Sequence, residues 1–404
     1  MMKIQFVTTG LYPHVGGKSS HIETVIRGMR ELGIECRIVS YSDIPKRRKI
    51  IVTIKRLLVS PLRFINFDSY VRHSERAMFY EFRRVLNSKL SEWSYDAILA
   101  EDPMAAILAN KENKDKKPIV MVMHSYFGRS MGIIRNSRFS VTADYFKVQK
   151  EEHLESLRFI SKLIGVDDRI KEECKELAQE RGYNIPIVSI ENFVDTEKFK
   201  PTYSEIEKKQ IKQKYGVEDK KVLTCIRRLC DKNGVIYAVD AMNNLPSEYV
   251  LLIGGDGECR DEIEEKVAKD NLCKKVKLLG SVNSETVIQL YNISDYVLVP
   301  SITVNGLQEA TSISALEAMS FKLPVIASSI GGLKQMINDG CNGLLVEEKD
   351  SQGIAVSILN LEKDKELYNK ICEGARQDVI DYYSYLVGAK RYMDEIKDVI
   401  ENKH

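Results

Sequence analysis

The chain has 404 residues, of which 44% are hydrophobic and 29% are charged, and its formal net charge is +2. This length exceeds a single compact core and predicts two globular domains. The near-neutral charge argues against a nucleic-acid binder, which usually carries a pronounced basic excess. The sequence has no apolar run of the ~18 residues that a membrane-spanning helix requires, and none of its eight cysteines forms a Cys-x-x-Cys pair. With no signal peptide in the opening MMKIQFVTTG, we predict a cytoplasmic protein with reduced thiols.

Short β-branched runs alternate along the chain with longer amphipathic stretches. Twelve strands are predicted, at residues 4–8, 35–40, 97–100, 119–123, 163–166, 187–190, 221–226, 249–253, 276–279, 296–299, 324–327 and 343–346. This alternation is typical of parallel sheets covered by helices, and so predicts an α/β fold with two doubly wound, Rossmann-like domains. Ligands of such sheets bind at the carboxyl ends of the strands, so we expect the site in a central cleft between the domains.

The domain boundary is predicted where the helical period disappears. The run ENFVDTEKFKP lacks that period and ends at Pro201. We therefore expect one domain over residues 1–195 and a second over residues 205–381. Residues 382–404 form a long amphipathic stretch without a strand partner, which predicts a C-terminal helix that packs back on the first domain.

Two glutamates eight residues apart, Glu309 and Glu317, lie in PSITVNGLQEATSISALEAMSFKLPVIASSIGG, directly after a predicted strand. A helix should begin near Thr311 or Ser312, and its first turn would offer free backbone N–H groups to a diphosphate. The two carboxylates suit the hydroxyl groups of a sugar and a ribose. Two glutamates at this spacing are common, so on spacing alone a solvated cap and a helix-face charge is the more ordinary interpretation.

Basic and glycine-rich loops follow two other strands. Arg228 and Lys232 in CIRRLCDKNG could grip a phosphate or could form a solvated basic loop. Gly16 and Gly17 stand between the first strand and an amphipathic helix, where a glycine backbone can approach a phosphate closely. Lys18 and His21 follow in the same region. Further polar residues end neighbouring strands, namely His124, Glu101 and Asp102.

Together these segments resemble the family-four glycosyltransferases, which are retaining enzymes of the GT-B fold with an E-x7-E motif. Pro300–Ser301, Glu309, Leu316–Met319, Pro324–Ala327, Gly331–Gly332 and Asn342–Val346 resemble the family's signature block. Glu191–Asp195, Ile253–Glu258 and Leu278–Val282 resemble its interdomain and strand-end segments. The sequence departs from the family in having Ala310 to Ser312 in place of Gly-Phe-Gly, and Lys322 in place of a glycine.

The resemblance implies a role for each candidate residue. Glu317 would hold the ribose and Glu309 the sugar hydroxyls, while Arg228 and Lys232 would hold the diphosphate; His124 would lie beside the donor sugar. Arg227 competes with Arg228, which we favour because Leu229 follows it as in the family's Arg-Leu. The other implied donor-site residues are Gly16, Gly17, Thr311, Ser312, Gly255 and Val282. The residues expected on the acceptor side are Lys18, His21, Glu101 and Asp102.

The resemblance implies retaining hexosyl or N-acetylhexosaminyl transfer from a nucleotide diphosphate sugar, with UDP the first expectation. The acceptor would be a hydroxyl of a glycan, a glycolipid or a small molecule. Because the sequence has no Asp-x-Asp, we expect no metal or other cofactor, with the nucleotide sugar as a substrate. Three alternatives stay open: a non-catalytic glycosyltransferase-like subunit, a phosphorylase and an epimerase.

Residues 46–63 contain seven basic residues and no acidic one, with apolar residues at near-helical spacing. They lie within the segment PKRRKIIVTIKRLLVSPLRF. Such a segment can lie on an anionic membrane surface or contact a lipid-diphosphate acceptor. It can equally be a helix that covers the first domain with a solvated basic face. Nucleic acid is not expected here, because the patch lacks stacking aromatic residues before Phe64 and Phe67.

Overall fold

A computed structural model describes residues 1–14, 17–127, 141–304, 306 and 308–402 of the chain, and within them it contains twelve strands and sixteen α-helices. The strands are β1 (Lys3–Val7), β2 (Glu35–Val39), β3 (Ala97–Ala100), β4 (Ile119–Met123), β5 (Lys162–Gly165), β6 (Ile187–Ser189), β7 (Lys221–Ile226), β8 (Tyr249–Gly254), β9 (Val276–Leu278), β10 (Tyr296–Val299), β11 (Val325–Ser328) and β12 (Leu344–Val346). The helices are α1 (Gly17–Glu31), α2 (Lys46–Leu58), α3 (Leu62–Ile65), α4 (Phe67–Ser91), α5 (Pro103–Glu112), α6 (Ala143–Leu154), α7 (Asp168–Glu180), α8 (Glu205–Tyr215), α9 (Val235–Ala241), α10 (Arg260–Lys269), α11 (Ser284–Ile293), α12 (Ile313–Ser320), α13 (Leu333–Met336), α14 (Ser351–Lys363), α15 (Lys365–Tyr382) and α16 (Tyr385–Glu401).

The strands form two six-stranded sheets, in the orders β2-β1-β3-β4-β5-β6 and β12-β11-β10-β7-β8-β9. Every strand pair is parallel, as shown by the register of Ile4 with Ala97 in the first sheet and Cys225 with Ile253 in the second. Each predicted strand is present, with its ends within one residue of the prediction. The central strands are buried on both faces, as parallel sheets covered by helices require. The α/β prediction is confirmed.

The chain divides into two compact units. Unit 1 comprises residues 1–191 and 388–404, and unit 2 comprises residues 192–387. The first predicted boundary at residue 195 lies four residues later than the division. Two contacts explain the difference, because they tie this segment to unit 2: the Asn192 amide donates to the Thr311 carbonyl at 2.9 Å, and the Val194 N–H donates to the Tyr383 carbonyl at 2.8 Å.

The C-terminal helix begins later than the predicted residue 382, because α15 continues through Tyr382 and α16 starts only at Tyr385. Within unit 1, α16 is held by charged contacts. The buried Lys162 ammonium pairs with Glu395 and Asp398, and Arg391 pairs with Glu191 at 2.7 Å. The predicted cleft concerns the arrangement of the two domains and stays a prediction.

Two loops at the carboxyl edge of the second sheet pack backbone to backbone. Gly255, which follows β8, has a φ of +155°, and a Cβ atom there would lie 1.8 Å from the Arg227 carbonyl oxygen. The Leu229 N–H donates to the Asp256 carbonyl at 3.0 Å, and the Gly255 N–H donates to the Gly280 carbonyl at 2.7 Å. The loop that carries Arg227 is therefore fixed by a neighbour that only glycine allows to come so close.

Gly255→Ala should lower the free energy of unfolding by about 3 kcal/mol, because the new methyl group must displace backbone. The matched control is Gly33→Ala, where φ is also positive at +81° but nothing lies within 4 Å of the new atom. This control should cost only about 1 kcal/mol. Urea unfolding of both variants measures the difference, and equal losses would show that the close approach does not constrain the loop.

Candidate functional site

A buried carboxylate in unit 2 lies between two cations. Arg227 Nη2 is 2.9 Å from Glu309 Oε2, and Lys232 Nζ is 3.7 Å from the same oxygen. The exposed fraction of the Glu309 side chain is 12%. Burial raises the pKa of Glu309, but the charges of Arg227 and Lys232 outweigh it and hold that pKa below its ordinary value. Glu309 is thus an ionised counter-ion for both cations.

Arg227, rather than the favoured Arg228, is the arginine in this cluster. Its guanidinium also donates to Asn233 Oδ1 at 2.9 Å and to Ser312 Oγ at 3.2 Å, which fixes its direction. The Arg228 side chain is 59% exposed and pairs with Glu258 at 3.1 Å. The structure therefore brings Arg227, Lys232 and Glu309 together and leaves Arg228 outside.

Burial distinguishes the two neighbouring arginines. Arg227 and Leu229 are buried, whereas Arg228 between them is exposed. Both arginines follow the end of β7, whose central residues 222–225 are all buried. Because the strand is buried on both faces, its sequence pattern does not indicate which arginine points inward.

The loop before α12 holds Glu309 in place. The Gly332 N–H donates to the Glu309 carbonyl at 2.9 Å, and a Cβ atom at Gly332 would lie 2.6 Å from the Ala310 carbonyl carbon. Thr311 and Ser312 are both buried. Because α12 begins at Ile313, its first turn directs backbone N–H groups toward the loop that carries the carboxylate.

Glu317 lies in the same helix but outside the ion-pair cluster. Burial raises the pKa of its carboxyl group to about 8, with only a partial opposing effect from Lys198. Burial thus favours the protonated form of Glu317 in the absence of a ligand. Once ionised, its carboxylate would be a strong acceptor for hydroxyl donors.

The two other predicted residues of unit 2 lie in the loops behind Arg227. Gly255 packs against the Arg227 carbonyl oxygen. Val282 lies against the end of β8, since a Cβ atom at Gly254 would be 3.0 Å from a Val282 methyl group. Both positions shape the loop that directs the arginine.

In unit 1, Asp102 is the partner of Lys18 and caps α5. Lys18 Nζ lies 2.6 Å from Asp102 Oδ2, and the Thr9 and Ala105 N–H groups donate to the same carboxylate at 3.0 and 2.7 Å. Burial opposes ionisation, but Lys18 and these donors lower the pKa of Asp102 to about 2. Gly17 is the first residue of α1, while Gly16 lies outside the described residues.

His124, Glu101 and His21 form a second buried cluster in unit 1. His124 Nε2 and Glu101 Oε2 are 2.8 Å apart, and the His21 ring meets the His124 ring edge to face with 4.8 Å between centroids. The Tyr392 hydroxyl of α16 lies 3.4 Å from His21 Nε2. Glu101 and His124 directly follow the carboxyl ends of β3 and β4. These two strands are adjacent in the sheet, which brings the two side chains together.

Within the described part of the chain, this cluster is the one group of metal-type ligands whose atoms all lie within 4.8 Å of one another. Its spacing does not fit a metal ion well. Two ligands on a tetrahedral zinc ion lie about 3.3 Å apart, whereas His124 and Glu101 are at hydrogen-bond distance. The positive charge of Lys18 also acts on both groups. The arrangement is a hydrogen-bonded pair, and independence of metal stays a prediction.

Two family profiles match consecutive parts of the chain. Glycosyltransferase Family 4 matches residues 15–198, and Glycosyl transferases group 1 matches residues 207–378. The chain belongs to glycosyltransferase family four. The predicted family and its GT-B fold are thereby confirmed.

Relatives of this glycosyltransferase extend over its full length. An uncharacterised glycosyltransferase of Methanocaldococcus jannaschii is 29% identical over 413 residues, which is 99% of each chain. The UDP-Gal:α-D-GlcNAc-diphosphoundecaprenol α-1,3-galactosyltransferase of Escherichia coli is 29% identical over 252 residues, 60% of this chain and 62% of its own. The crystal structure of Anabaena HepE with UDP-glucose shares the fold, with a TM-score of 0.71, 19% identity and coverage of 98% and 100%.

Glu317→Gln should become more stable relative to the wild type as the pH rises from about 5 to about 9. The pKa of Glu317 is about 8 in the folded protein and ordinarily 4.5, so the folded state binds more protons in this window and wild-type stability falls as pH rises through it. The difference in melting temperature between the two proteins measures this effect at each pH. Glu265→Gln, at an exposed position of α10, should show a difference that does not vary with pH; a flat profile for both would contradict the shifted pKa.

Proposed function

We propose that this glycosyltransferase moves a hexosyl or N-acetylhexosaminyl group from a UDP-sugar to a hydroxyl acceptor, with retention of configuration and without a metal ion. The observation that carries the proposal is the partly buried cluster of Arg227, Lys232 and Glu309 beside the start of α12. It combines two cations, helix N–H groups and a carboxylate acceptor, which are the groups that a sugar diphosphate requires.

The donor diphosphate would replace Glu309 as the partner of Arg227 and Lys232. Two cations neutralise a diphosphate without a metal ion, and an arginine fork can hold two phosphate oxygens at once. Glu309 would then be released from the cations to accept hydrogen bonds from the sugar hydroxyls. Glu317 would lose its proton and accept hydrogen bonds from the ribose hydroxyls.

The transfer step needs no covalent enzyme intermediate. The bond between the anomeric carbon and the diphosphate oxygen breaks, and its electron pair stays on the leaving nucleoside diphosphate. The acceptor oxygen forms the new bond on the same face of the sugar, and its proton passes to the departing diphosphate. Arg227 and Lys232 would stabilise the negative charge that develops on the leaving group.

The nucleotide and the acceptor are proposed from the relatives. Anabaena HepE has been solved with UDP-glucose, and the E. coli relative is named for UDP-Gal and a diphosphoundecaprenol acceptor. These names support UDP as the nucleotide and a glycan, glycolipid or other hydroxyl compound as the acceptor. In unit 1, His124 would contact the donor sugar, and Lys18 and Asp102 would contribute to the acceptor side.

Arg227→Gln should weaken UDP binding by at least about tenfold, because a charge-assisted hydrogen bond contributes about 1.5–3 kcal/mol. Turnover should fall by about a hundredfold, since the leaving-group charge is no longer stabilised. Calorimetry with UDP and release of UDP from UDP-glucose, UDP-galactose and UDP-N-acetylglucosamine measure the two effects. Circular dichroism melts establish that the variant folds.

Arg228→Gln is the matched control, with the same substitution one residue away on the exposed face. It should bind UDP and turn over as the wild type does. If Arg228→Gln lost binding while Arg227→Gln kept it, the proposed diphosphate site would be wrong. A wild-type protein that binds no UDP, GDP or ADP conjugate would favour a non-catalytic subunit, and release of a sugar phosphate on addition of inorganic phosphate would favour a phosphorylase.

We further propose that an apolar and basic surface of unit 1 contacts the inner face of an anionic membrane. The surface consists of the exposed residues Ile50, Ile51, Ile54, Leu57, Leu58, Phe64 and Ile65. In α2 only Val52 is buried, so most of the helix's apolar residues face outward. Exposed Lys46, Arg47 and Arg56 lie in the same helix and suit anionic headgroups.

The exposed apolar area supports membrane contact over the alternative of a helix that only covers the domain. The exposed fractions of Leu58, Phe64 and Ile65 are 75%, 78% and 81%, and grouped apolar side chains of this size usually mark a contact site. Among the described residues, no helix is both long and apolar enough to cross a membrane. Contact through this surface would bring the enzyme to a lipid-linked acceptor.

A Leu57→Ser/Leu58→Ser variant should bind vesicles of phosphatidylcholine and phosphatidylglycerol at least about tenfold more weakly than the wild type, because two leucines no longer enter the lipid. Cosedimentation measures the binding, and vesicles of phosphatidylcholine alone should bind the wild type weakly. Ile206→Ser is the control, since Ile206 is 73% exposed but lies on α8 in unit 2. Equal binding by all three proteins, or none by the wild type, would refute the membrane contact.

A further inference from the structure

Glu101 and His124 form a buried pair in which each group has one uncommitted atom. His124 Nε2 lies 2.8 Å from Glu101 Oε2. Within the described part of the chain, Glu101 Oε1 is buried without a hydrogen-bond partner, and the hydrogen bond of His124 is made by Nε2 and not by Nδ1. Glu101 is fully buried, whereas the His124 side chain keeps 18% of its surface exposed. A ligand can therefore reach the histidine but not the glutamate.

The neighbours of the pair come from three elements. Lys18 and His21 of α1 act on it, together with Asp102 at the start of α5 and Tyr392 of α16. Lys18 and Asp102 are paired with each other, so their charges largely compensate at the pair. The His21 ring packs on His124, and the Tyr392 hydroxyl lies 3.4 Å from His21 Nε2, which fixes the plane of the packed rings.

Burial brings the protonation of the pair into the neutral range. It raises the pKa of Glu101 to about 7 and lowers the pKa of His124. Because the two groups share a hydrogen bond, one proton is taken up by the pair rather than by either residue alone. We therefore expect the pair to gain or lose one proton near neutral pH.

The presence of this proton determines whether His124 Nδ1 is a hydrogen-bond donor or an acceptor. Without the proton, Nε2–H donates to the Glu101 carboxylate and Nδ1 is an acceptor. With it, either Glu101 donates to Nε2 or the imidazole becomes cationic, and in both cases Nδ1 carries a hydrogen. A proton on Glu101 Oε1 is disfavoured, because a buried donor without a partner costs about 1–3 kcal/mol.

We propose that Glu101 is a positioning residue that makes His124 Nδ1 an N–H donor to a hydroxyl oxygen of the donor sugar. The inference rests on the proposed function, which places His124 beside that sugar. The protonated pair also favours an anionic donor, because it carries one negative charge fewer than the deprotonated pair. Loss of the proton above neutral pH then weakens donor binding without changing the chemical step.

The first test follows His124 by ¹⁵N NMR of histidine-labelled, ligand-free protein between pH 6 and pH 8.5. The chain has six histidines, and His124→Gln identifies the signal. Nδ1 should change from protonated to unprotonated in the wild type, and this change should be absent in Glu101→Gln, which has no ionisable group. An unchanged Nδ1 signal in the wild type, or the same transition in Glu101→Gln, overturns the proposal.

The second test measures the pH dependence of KM and kcat for UDP-glucose. The KM of the wild type should rise about tenfold between pH 6 and pH 9 with little change in kcat, and that of Glu101→Gln should change less than twofold. Glu112→Gln, at the end of α5, should behave as the wild type does. A pH-independent wild-type KM overturns the proposal.

The two tests separate this inference from the proposed function. A wild-type protein without turnover or UDP binding would defeat the proposed function. The NMR titration would still test whether Glu101 controls the protonation of His124 Nδ1. A Glu101→Ala variant adds a check on positioning, because it should raise KM at every pH while His124 is still present.

Discussion

The contact between Arg227 and Glu309 is the interaction on which the candidate donor site depends. A guanidinium buried to this extent requires a counter-charge, since an unpaired buried charge is strongly destabilising. Glu309 provides it at 2.9 Å, and the surrounding loops hold both partners. The close approach of Gly255 fixes the arginine loop, and the close approach of Gly332 fixes the glutamate loop. Because Glu309 supplies this counter-charge, the side chains of Arg227 and Lys232 can point toward the site before an anionic substrate binds.

In a site of this kind, binding of an anionic ligand would change which group neutralises the two cations. The carboxylate that neutralises the cations in the empty state is the group proposed to bind the sugar in the occupied state. In the proposed binding mode, a nucleoside diphosphate sugar would supply both the replacement anion and the hydroxyl groups that donate hydrogen bonds to the displaced carboxylate. Glu317 adds to this coupling, because a neutral acid in the empty site becomes a strong acceptor only when hydroxyl donors lower its pKa.

Much of the fold could be predicted from the sequence because buried parallel strands are short runs of β-branched residues between amphipathic stretches. The E-x7-E segment was placed correctly because a strand, a polar loop and a helix follow one another without interruption. The sequence does not distinguish Arg227 from Arg228, because the family motif indicates only which residue follows the arginine, and β7 before it is buried on both faces. The end of the first domain was placed at residue 195 because loss of helical period does not reveal hydrogen bonds such as that from Asn192 to Thr311. The pairing of Glu101 with His124 could not be predicted from local pattern, because it depends on the adjacency of two strands whose end residues are 23 positions apart.

The division of unit 1 into residues 1–191 and 388–404 has a consequence for synthesis on the ribosome. All of unit 2 is translated before residues 388–404, which hold most of α16, so the first sheet emerges early but lacks its last helix for as long as the intervening 196 residues take to be made. During that interval Lys162, a buried residue of β5, lacks Glu395 and Asp398, and His21 lacks Tyr392. Nascent unit 1 is thus a natural client for chaperones that shield incomplete surfaces, whereas unit 2 can fold as one continuous segment. A tag or truncation at the carboxyl end would accordingly disturb the amino-terminal half of the enzyme.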